Sequence, residues 1–186
     1  MHRAPLLAIL ARYLARHPED RERVAQVHDF VRDHADCFLR SCRDGHITGS
    51  AWILSPDRRA VLLTHHRKLG RWLQLGGHAD GDPDPVRVAL REAREESGLE
   101  RLAPLAGSDE LLPLDIDVHP IPAHGDEPAH LHHDIRYLLI AAPGEALRMS
   151  DESYDLRWVA RDRLEELVNE DSMLRMERRV QALGLL

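Results

Sequence analysis

The sequence predicts an α/β (α+β) sandwich, in which helices cover a mixed β-sheet and a helical extension precedes it. Three observations support this fold. Apolar residues recur at helical spacing over the first 33 residues, strand-like runs begin at residue 46, and one strongly helical stretch (86–98) interrupts them. A chain of 186 residues, 43% of them apolar, suits one domain with a modest extension. We therefore assign residues 1–43 to the extension and residues 44–186 to the main domain.

The extension is predicted to contain two helices. The first ends at His17, because a residue that precedes proline avoids the α-helical region. The second runs from Glu19 to about Asp33, with its apolar residues on one face. Such a helical pair is typical of a cap or a dimerisation element, so a homodimer formed through these helices is one hypothesis.

The main domain is predicted to begin with two strands, residues 46–54 and 60–66, joined by a turn at Ser55-Pro56-Asp57. A Gly-rich segment, residues 69–85, then leads into the helix. Strands are further predicted at 110–121, 131–142 and 156–160, and two helical pieces at 161–169 and 171–183. Alternating strands and helices of this kind favour a mixed sheet covered by helices.

Composition argues against several classes of protein. The 25 Lys and Arg residues against 32 Asp and Glu give a formal charge of −7, which disfavours a stable nucleic-acid partner. The longest apolar runs are far below the roughly 20 residues of a membrane helix, so no membrane partner is expected. Two cysteines, Cys37 and Cys42, cannot form a disulfide framework, and a cytoplasmic location is expected.

The central helix has clear start and stop signals. Asp84 is expected to cap its N-terminus, Pro85 suits the first helical position, and Gly98 is a natural stop. At about 100° per residue, the predicted core face comprises Val86, Ala89, Leu90 and Ala93.

Three carboxylates share another side of this helix. The side chains of Glu92, Glu95 and Glu96 fall within about 100° of one another around the helix axis. Carboxylates this close repel one another, and Mg²⁺ binds proteins through one or two carboxylates together with substrate phosphates. Taken alone, such a face is more often solvated and paired with arginines, as Arg91 and Glu95 are spaced to do.

The context of this helix resembles the Nudix hydrolase superfamily (MutT-like). Its signature is Gly, five residues, Glu, seven residues, then Arg-Glu-apolar-x-Glu-Glu-x-Gly-apolar. The matching residues, spread over 23 positions, are Gly77, Arg91, Glu92, Ala93, Glu95, Glu96, Gly98 and Leu99. Pro83 stands where the signature has Glu, and Leu75 where a proline usually precedes the Gly-Gly pair; Asp82 or Asp84 could replace the missing acid. The resemblance covers about residues 44–170 and implies a Nudix-type α/β/α sandwich.

The resemblance implies Mg²⁺-dependent hydrolysis of the diphosphate linkage in a nucleoside diphosphate derivative, with Mn²⁺ as an alternative metal. Water attacks phosphorus while a carboxylate-held metal neutralises charge. Carried over to this chain, Glu95 and Glu96 are metal ligands together with the Gly76 carbonyl. Glu92 is either a further ligand or the base that takes the proton from water. Arg91 would orient Glu92 or Glu95 through a salt bridge.

Other segments contribute further candidates. Many relatives supply one more metal-binding acid from a loop ahead of a tryptophan, which points to Glu152, with Asp151 as the alternative. Candidate substrate-binding residues, for a small nucleotide, are His78, Arg67, Lys68, His130 and His132.

His130 and His132 share one face of a predicted strand, while His133 projects from the other. Two imidazoles on one face can bind zinc or a nucleotide phosphate. Because no third ligand is visible in the sequence, we favour the role in substrate binding.

Two other functions compete with hydrolysis. The loss of the signature Glu at Pro83 suggests a non-catalytic Nudix-fold nucleotide-binding or regulatory module, but the three retained carboxylates argue against it. An isopentenyl-diphosphate isomerase needs a catalytic cysteine within its own motif, and Cys37 and Cys42 both precede the first predicted strand.

Overall fold

A mixed sheet forms the centre of the protein. The computed structural model describes residues 2–105, 111–123, 125 and 127–185, and within these ranges the sheet has eight strands. The strands are β1 (Gly45–Leu54), β2 (Ala60–His66), β3 (Arg71–Leu73), β4 (Leu75–His78), β5 (Leu102–Pro104), β6 (Asp115–Ile121), β7 (His130–Ala141) and β8 (Ser153–Ala160).

Helices precede, interrupt and follow these strands. The α-helices are α1 (Ala4–Arg16), α2 (Arg21–Asp33), α3 (Pro85–Ser97) and α4 (Asp171–Ala182). Short 3₁₀ helices cover Pro18–Asp20 and Arg161–Glu166. No helix among the described residues is long and apolar enough to cross a bilayer.

The longest ladder of the sheet joins β1 to β7. These two strands run parallel, from Gly45 opposite Leu131 to Leu54 opposite Ile140. The other paired strands are antiparallel: β2 and β4 pair with β1, β5 and β6 with β7, and β3 and β8 with β2. The predicted mixed sheet is therefore confirmed, and its two central strands meet side by side although 75 residues separate Leu54 from His130 in the chain.

The sheet is packed on both faces. On one face, the β1 side chains Ile47, Ala51 and Ile53 belong to a core that also includes buried residues of α1, α2 and α3. On the other face, Trp52 and Leu54 pack in a core that includes Met173, Met176 and Val180 of α4. Alternate β1 residues thus enter opposite layers, as a β-strand requires, and the predicted sandwich is confirmed.

The N-terminal extension is built into the domain. Its buried residues, such as Leu6, Leu10 and Val27, are part of the same core as the sheet. Arg179 of α4 donates hydrogen bonds to the Tyr13 hydroxyl and the Asp20 carboxylate, which joins the extension to the C-terminal helix. The two predicted helices are confirmed, whereas dimerisation through them stays a prediction.

Several predicted boundaries were wrong. The Gly-rich segment at 69–85 contains two short strands, β3 and β4, and β5 was not predicted. Arg21 begins α2, because Pro18–Asp20 form a 3₁₀ turn, and the first C-terminal helical piece is a 3₁₀ helix over Arg161–Glu166. The strand predicted at 110–121 begins at Asp115, and residue 110 lies outside the described ranges.

Candidate functional site

Helix α3 is fixed at both ends as predicted. The Asp84 carboxylate accepts a hydrogen bond from the backbone N–H of Val86 at 3.2 Å, and Gly98 ends the helix in the left-handed region with a φ of 70°. The helix packs closely on β1 because Gly49 has no side chain. A Cβ atom at Gly49 would lie 2.7 Å from the Pro85 carbonyl oxygen and 2.9 Å from the Val88 Cβ.

The predicted core face of α3 was partly wrong. Ala89 and Ala93 are buried as expected, but Val86 and Leu90 are only partly buried. Val88 is fully buried, because it packs over Gly49. The buried face is therefore rotated toward the acidic side of the helix, and it carries Glu96 into contact with the sheet.

Glu96 is the most buried of the three helix carboxylates. Its side chain is 8% exposed, and its Oε1 accepts a hydrogen bond from the backbone N–H of Gly76 at 2.9 Å. Burial raises the pKa of Glu96 to about 8, with further increases from the negative charges of Glu92, Glu152 and Glu95. This carboxylate is thus held against the Gly-Gly strand, where an unpaired negative charge is unfavourable.

Glu92 lies over the neighbouring glycine. A Cβ atom at Gly77 would lie 2.5 Å from the Glu92 Cδ, so a larger residue would collide with this carboxylate. Arg91 donates hydrogen bonds to Glu92 Oε1 at 2.7 Å and to the His78 carbonyl at 2.6 Å. Burial raises the pKa of Glu92, while the Arg91 guanidinium opposes this increase. Of the two partners predicted for Arg91, the structure therefore places Glu92 in contact with it.

The other two acids lie around this pair. Glu95 is exposed on α3, and Glu152 lies immediately before β8. Both are close enough for their charges to raise the pKa of Glu96. Carboxylates from α3 and from the segment before β8 therefore share one region, next to the backbone of Gly76.

The loop acids near Pro83 are engaged at the start of α3. Asp82 accepts hydrogen bonds from the Arg87 guanidinium at 2.6 Å and from the Asp84 N–H at 2.9 Å. Asp84 caps the helix, as described above. These contacts show that both acids stabilise the start of the helix, and the replacement of the missing signature Glu by either of them stays a prediction.

The basic residues after β2 lie beside Glu152. The backbone N–H of Arg67 donates to the Glu152 carbonyl at 2.9 Å, and its guanidinium lies over the Tyr154 ring at 5.2 Å. Lys68 is exposed next to it. The two cationic side chains are therefore at the rim of the carboxylate region, where they are accessible to an anionic ligand.

The donor atoms of the carboxylate region are of the type that a divalent cation prefers. Glu92, Glu95, Glu96 and Glu152 supply carboxylate oxygens, and the Gly76 carbonyl belongs to the strand that Glu96 contacts. Such hard oxygen donors are those that Mg²⁺ prefers. Burial is the main cause of the raised pKa of Glu96 and the neighbouring negative charges add to it, so a cation bound here would offset both effects.

A cluster of histidines lies on three adjacent strands. The β1–β7 register places His46 opposite His132, and their Nε2 atoms are 3.1 Å apart. The ring of His130 lies 4.8 Å from that of His46, and the ring of His78 lies 4.7 Å from it. The structure thus brings together the candidates His78, His130 and His132. His133 projects oppositely, as predicted, and stacks on Phe30 of α2 at 4.0 Å.

His46 is the member that the sequence interpretation missed. The alternation of His46, Thr48 and Ser50 with apolar residues or glycine indicates a polar face of β1, which is a signal that could have been used. No comparable signal in the sequence indicates that His46 lies opposite His132, because these two parallel strands are far apart in the chain.

A buried carboxylate anchors the strands beside this cluster. Asp134 of β7 accepts hydrogen bonds from Thr48 at 2.9 Å, Ser50 at 2.7 Å and the Arg136 guanidinium at 2.8 Å. A Cβ atom at Gly76 would lie 2.7 Å from the Ser50 Cα, so β4 reaches this position only as glycine. The network joins β7 to β1, and β1 pairs with the strand that carries Gly76 and His78.

Comparison with known proteins supports the family assignment. A family model described as NUDIX domain matches residues 46–179, which is more than half of the chain. This range begins at His46 and includes the Gly-Gly strand, α3 and β8. No curated protein matches the chain.

Solved structures share the fold at low sequence identity. A NUDIX family hydrolase from Clostridium perfringens is 23% identical with a TM-score of 0.57; the match covers 74% of this chain and 97% of that one. RenU, a Nudix hydrolase from M. smegmatis, is 20% identical with a TM-score of 0.55, over 75% and 86% of the two chains. An Ap4A hydrolase from C. elegans is 15% identical with a TM-score of 0.53, over 73% and 95%. About a quarter of this chain lies outside each match.

Proposed function

We propose that this chain, which belongs to the NUDIX domain family, is a hydrolase of phosphoric anhydride bonds that cleaves the diphosphate linkage of a nucleoside diphosphate derivative with a divalent cation. The observation that carries this proposal is the contact of two α3 carboxylates with the Gly-Gly strand. Glu96 binds the Gly76 N–H, and Glu92 lies over Gly77. Both contacts involve residues of the family signature.

In this proposal, Glu95, Glu96 and Glu152 bind the cation, which is Mg²⁺ or Mn²⁺, together with the Gly76 carbonyl. Bound there, a divalent cation polarises phosphoryl oxygens and lowers the pKa of water. Glu96 is held in place by its hydrogen bond to Gly76, so its position does not depend on the ligand. Glu95 is exposed and can rotate toward the substrate.

Glu92 serves either as a further ligand or as the base. Its partial burial raises its pKa, which favours proton acceptance, while Arg91 holds one of its oxygens. Because Arg91 also bonds to the His78 carbonyl, it connects α3 to β4 and fixes the distance between the carboxylates and the glycines. Arg91 is thus a positioning residue in this mechanism.

The proposed substrate contacts near the acids are Arg67 and Lys68, which are exposed beside Glu152 and can bind phosphate oxygens. The nucleotide would then bind with its diphosphate next to Gly76. A direct contact of His78, His130 and His132 with the substrate stays a prediction, because His78 projects from the face of β4 opposite Glu92.

A substrate panel tests the proposal. Wild-type protein is incubated with dinucleoside polyphosphates, nucleotide sugars and nucleoside triphosphates, with Mg²⁺, with Mn²⁺ and with chelator, and the products are separated by chromatography. We expect metal-dependent cleavage of at least one diphosphate linkage. We expect Glu95→Gln to lower kcat about 10²-fold or more, since it removes a charge that stabilises the transition state.

Glu100→Gln is the matched control, because Glu100 is exposed just beyond the end of α3. This variant should retain the wild-type rate. If the wild type binds nucleotides but cleaves none of the panel, the non-catalytic binding module replaces the proposed function. If Glu95→Gln and Glu100→Gln are both as active as the wild type, the site assignment is wrong.

A further inference from the structure

Three histidines converge at a second place on the sheet. His46, His130 and His132 form a group whose ligand atoms all lie within 4.8 Å of one another. It is the one group of three or more His, Cys, Asp or Glu side chains that converges in this way within the described part of the chain. The carboxylates around Glu96 do not form such a group.

One ring nitrogen of His130 is buried and has no partner among the described residues. Its Nδ1 bonds to the Pro128 carbonyl at 2.8 Å, so Nδ1 carries the proton. The lone pair is therefore on Nε2, which is buried and has no hydrogen-bond partner among the residues that the structure describes. A buried acceptor without a partner is unfavourable, and a hydrogen bond from the other ring nitrogen to a carbonyl is typical of metal-binding histidines.

The spacing of the closest two nitrogens suits one small ion. Zn²⁺ binds imidazole nitrogens at about 2.0–2.1 Å, so two ligands of a tetrahedral site lie about 3.3 Å apart. The Nε2 atoms of His46 and His132 are already 3.1 Å apart. Two neutral imidazoles at this distance can share only one proton, whereas a metal ion can bind both lone pairs.

From this geometry we propose that His46, His130 and His132 bind a transition-metal ion of the zinc class; His78, whose ring centroid lies 4.7 Å from that of His46, is next to the group. Imidazole ligands select Zn²⁺, Cu²⁺ or Ni²⁺ over Mg²⁺, which requires oxygen donors. In this site, His130 and His132 bind the ion rather than the substrate directly. This proposed metal site does not depend on the hydrolytic function proposed above.

The histidine site is separate from the carboxylate region. The missing Cβ atoms of Gly49 and Gly77 point toward α3, where they would meet Val88 and Glu92. Because side chains alternate along a strand, His46 and His78 project from the opposite face of the sheet. The two sites therefore lie on opposite faces of β4 and differ in ligand type, which makes them separable by experiment.

Cobalt is the probe for binding. Protein stripped with chelator is titrated with Co²⁺, whose visible absorption becomes intense in a tetrahedral nitrogen site, and the signal is then displaced with Zn²⁺. We expect the intense absorption to saturate at one equivalent, and His130→Gln and His132→Gln to weaken the binding that produces it at least about tenfold. His65→Gln, a histidine of β2 outside the cluster, and Glu95→Gln are controls that should bind as the wild type does.

X-ray absorption of the zinc-loaded wild type provides a readout that needs no variant. We expect three or four imidazole nitrogens at about 2.0 Å from zinc. The proposal is overturned if the wild type binds no Co²⁺ or Zn²⁺, if the shell consists of oxygen, or if Glu95→Gln abolishes binding while His130→Gln does not.

Discussion

Glu96 has two roles. It belongs to the buried face of α3, and its carboxylate is a proposed ligand of the divalent cation. Its burial, and the nearby charges of Glu92 and Glu152, place its pKa at about 8. A glutamine at this position retains an oxygen that accepts the Gly76 N–H, but it removes the charge. The substitution therefore separates the structural role of the side chain from its chemical role.

We predict that Glu96→Gln lowers kcat about 10²-fold or more, in line with the loss of a charge-stabilising group. The melting temperature should stay the same or rise, because glutamine avoids the cost of burying an ionisable carboxyl group next to other carboxylates. Steady-state kinetics and thermal denaturation, measured on the same preparation, check both parts. Full activity in this variant would contradict the assignment, and unfolding would show that the charge itself supports the fold.

The histidine cluster shows which contacts cannot be predicted from the pattern of one strand alone. His130 and His132 were predicted on one strand face from alternation alone, and the structure places them there. His46 was missed, because its position beside His132 depends on a parallel ladder between strands far apart in the chain. Periodicity predicts the direction of a side chain, but register decides which side chains meet.

At the scale of elements, α3 was the most predictable part. Asp84 and Gly98 act at its ends as expected, since caps are local and depend on backbone groups a few residues away. Its rotation was not predicted, because the close approach over Gly49 belongs to β1 and not to the helix. The strand β4 was also missed, since a Gly-Gly pair lacks the side chains that indicate a strand.

We predict that Gly49→Ala lowers the free energy of unfolding by about 1–3 kcal/mol, as overpacking does. The added methyl group would lie 2.7 Å from the Pro85 carbonyl oxygen. This oxygen belongs to the backbone of α3, which cannot move away as easily as a flexible side chain. Urea denaturation measures the effect. Gly77→Ala is the comparison: its methyl group meets the flexible Glu92 side chain, so it should reduce activity with little loss of stability. Equal stability of Gly49→Ala and wild type would contradict the packing argument.

At the scale of the whole molecule, the extension and the sheet share one core. The division into residues 1–43 and 44–186 follows the change of sequence pattern, and it stays a prediction about domain boundaries. The family match begins at His46, which agrees with the start of the sheet. The packing of Leu10 and Tyr13 into the core nevertheless predicts that the extension stabilises the protein.

Leu10→Ala tests this integration. Leu10 is fully buried, so we predict a loss of about 2–5 kcal/mol in the free energy of unfolding, as for other core leucines. Leu183→Ala is the control, because Leu183 is 52% exposed and its truncation should cost little. Chemical denaturation of the two variants gives the comparison. Similar small effects would mean that the extension is only loosely attached.

Buried histidines make stability depend on pH. Burial lowers the pKa of His133 to about 4 from its ordinary 6.5, so the unfolded chain binds more protons between pH 6.5 and pH 4. The contribution of His133 to the free energy of unfolding therefore rises as the pH increases from 4 to 6.5. Glu96, with its raised pKa, has the opposite effect, so the test compares wild type with a variant at His133 alone.

We predict that the stability advantage of wild type over His133→Gln shrinks by about 2 kcal/mol between pH 7.5 and pH 4.5, since one pKa unit corresponds to about 1.36 kcal/mol. Urea midpoints at four pH values between these limits measure it. A constant difference across the range would mean that His133 is not held neutral by burial.

The central claim is that the carboxylates of α3 hold a divalent cation beside Gly76. Titration with Mn²⁺ followed by electron paramagnetic resonance tests it most directly, because bound Mn²⁺ loses the sharp signal of the free ion and this metal favours oxygen ligands. We predict that the wild type and His132→Gln bind one ion with similar affinity, whereas Glu95→Gln and Glu96→Gln each bind at least about tenfold more weakly. Equal Mn²⁺ binding by all four proteins, or none by the wild type, would contradict the claim.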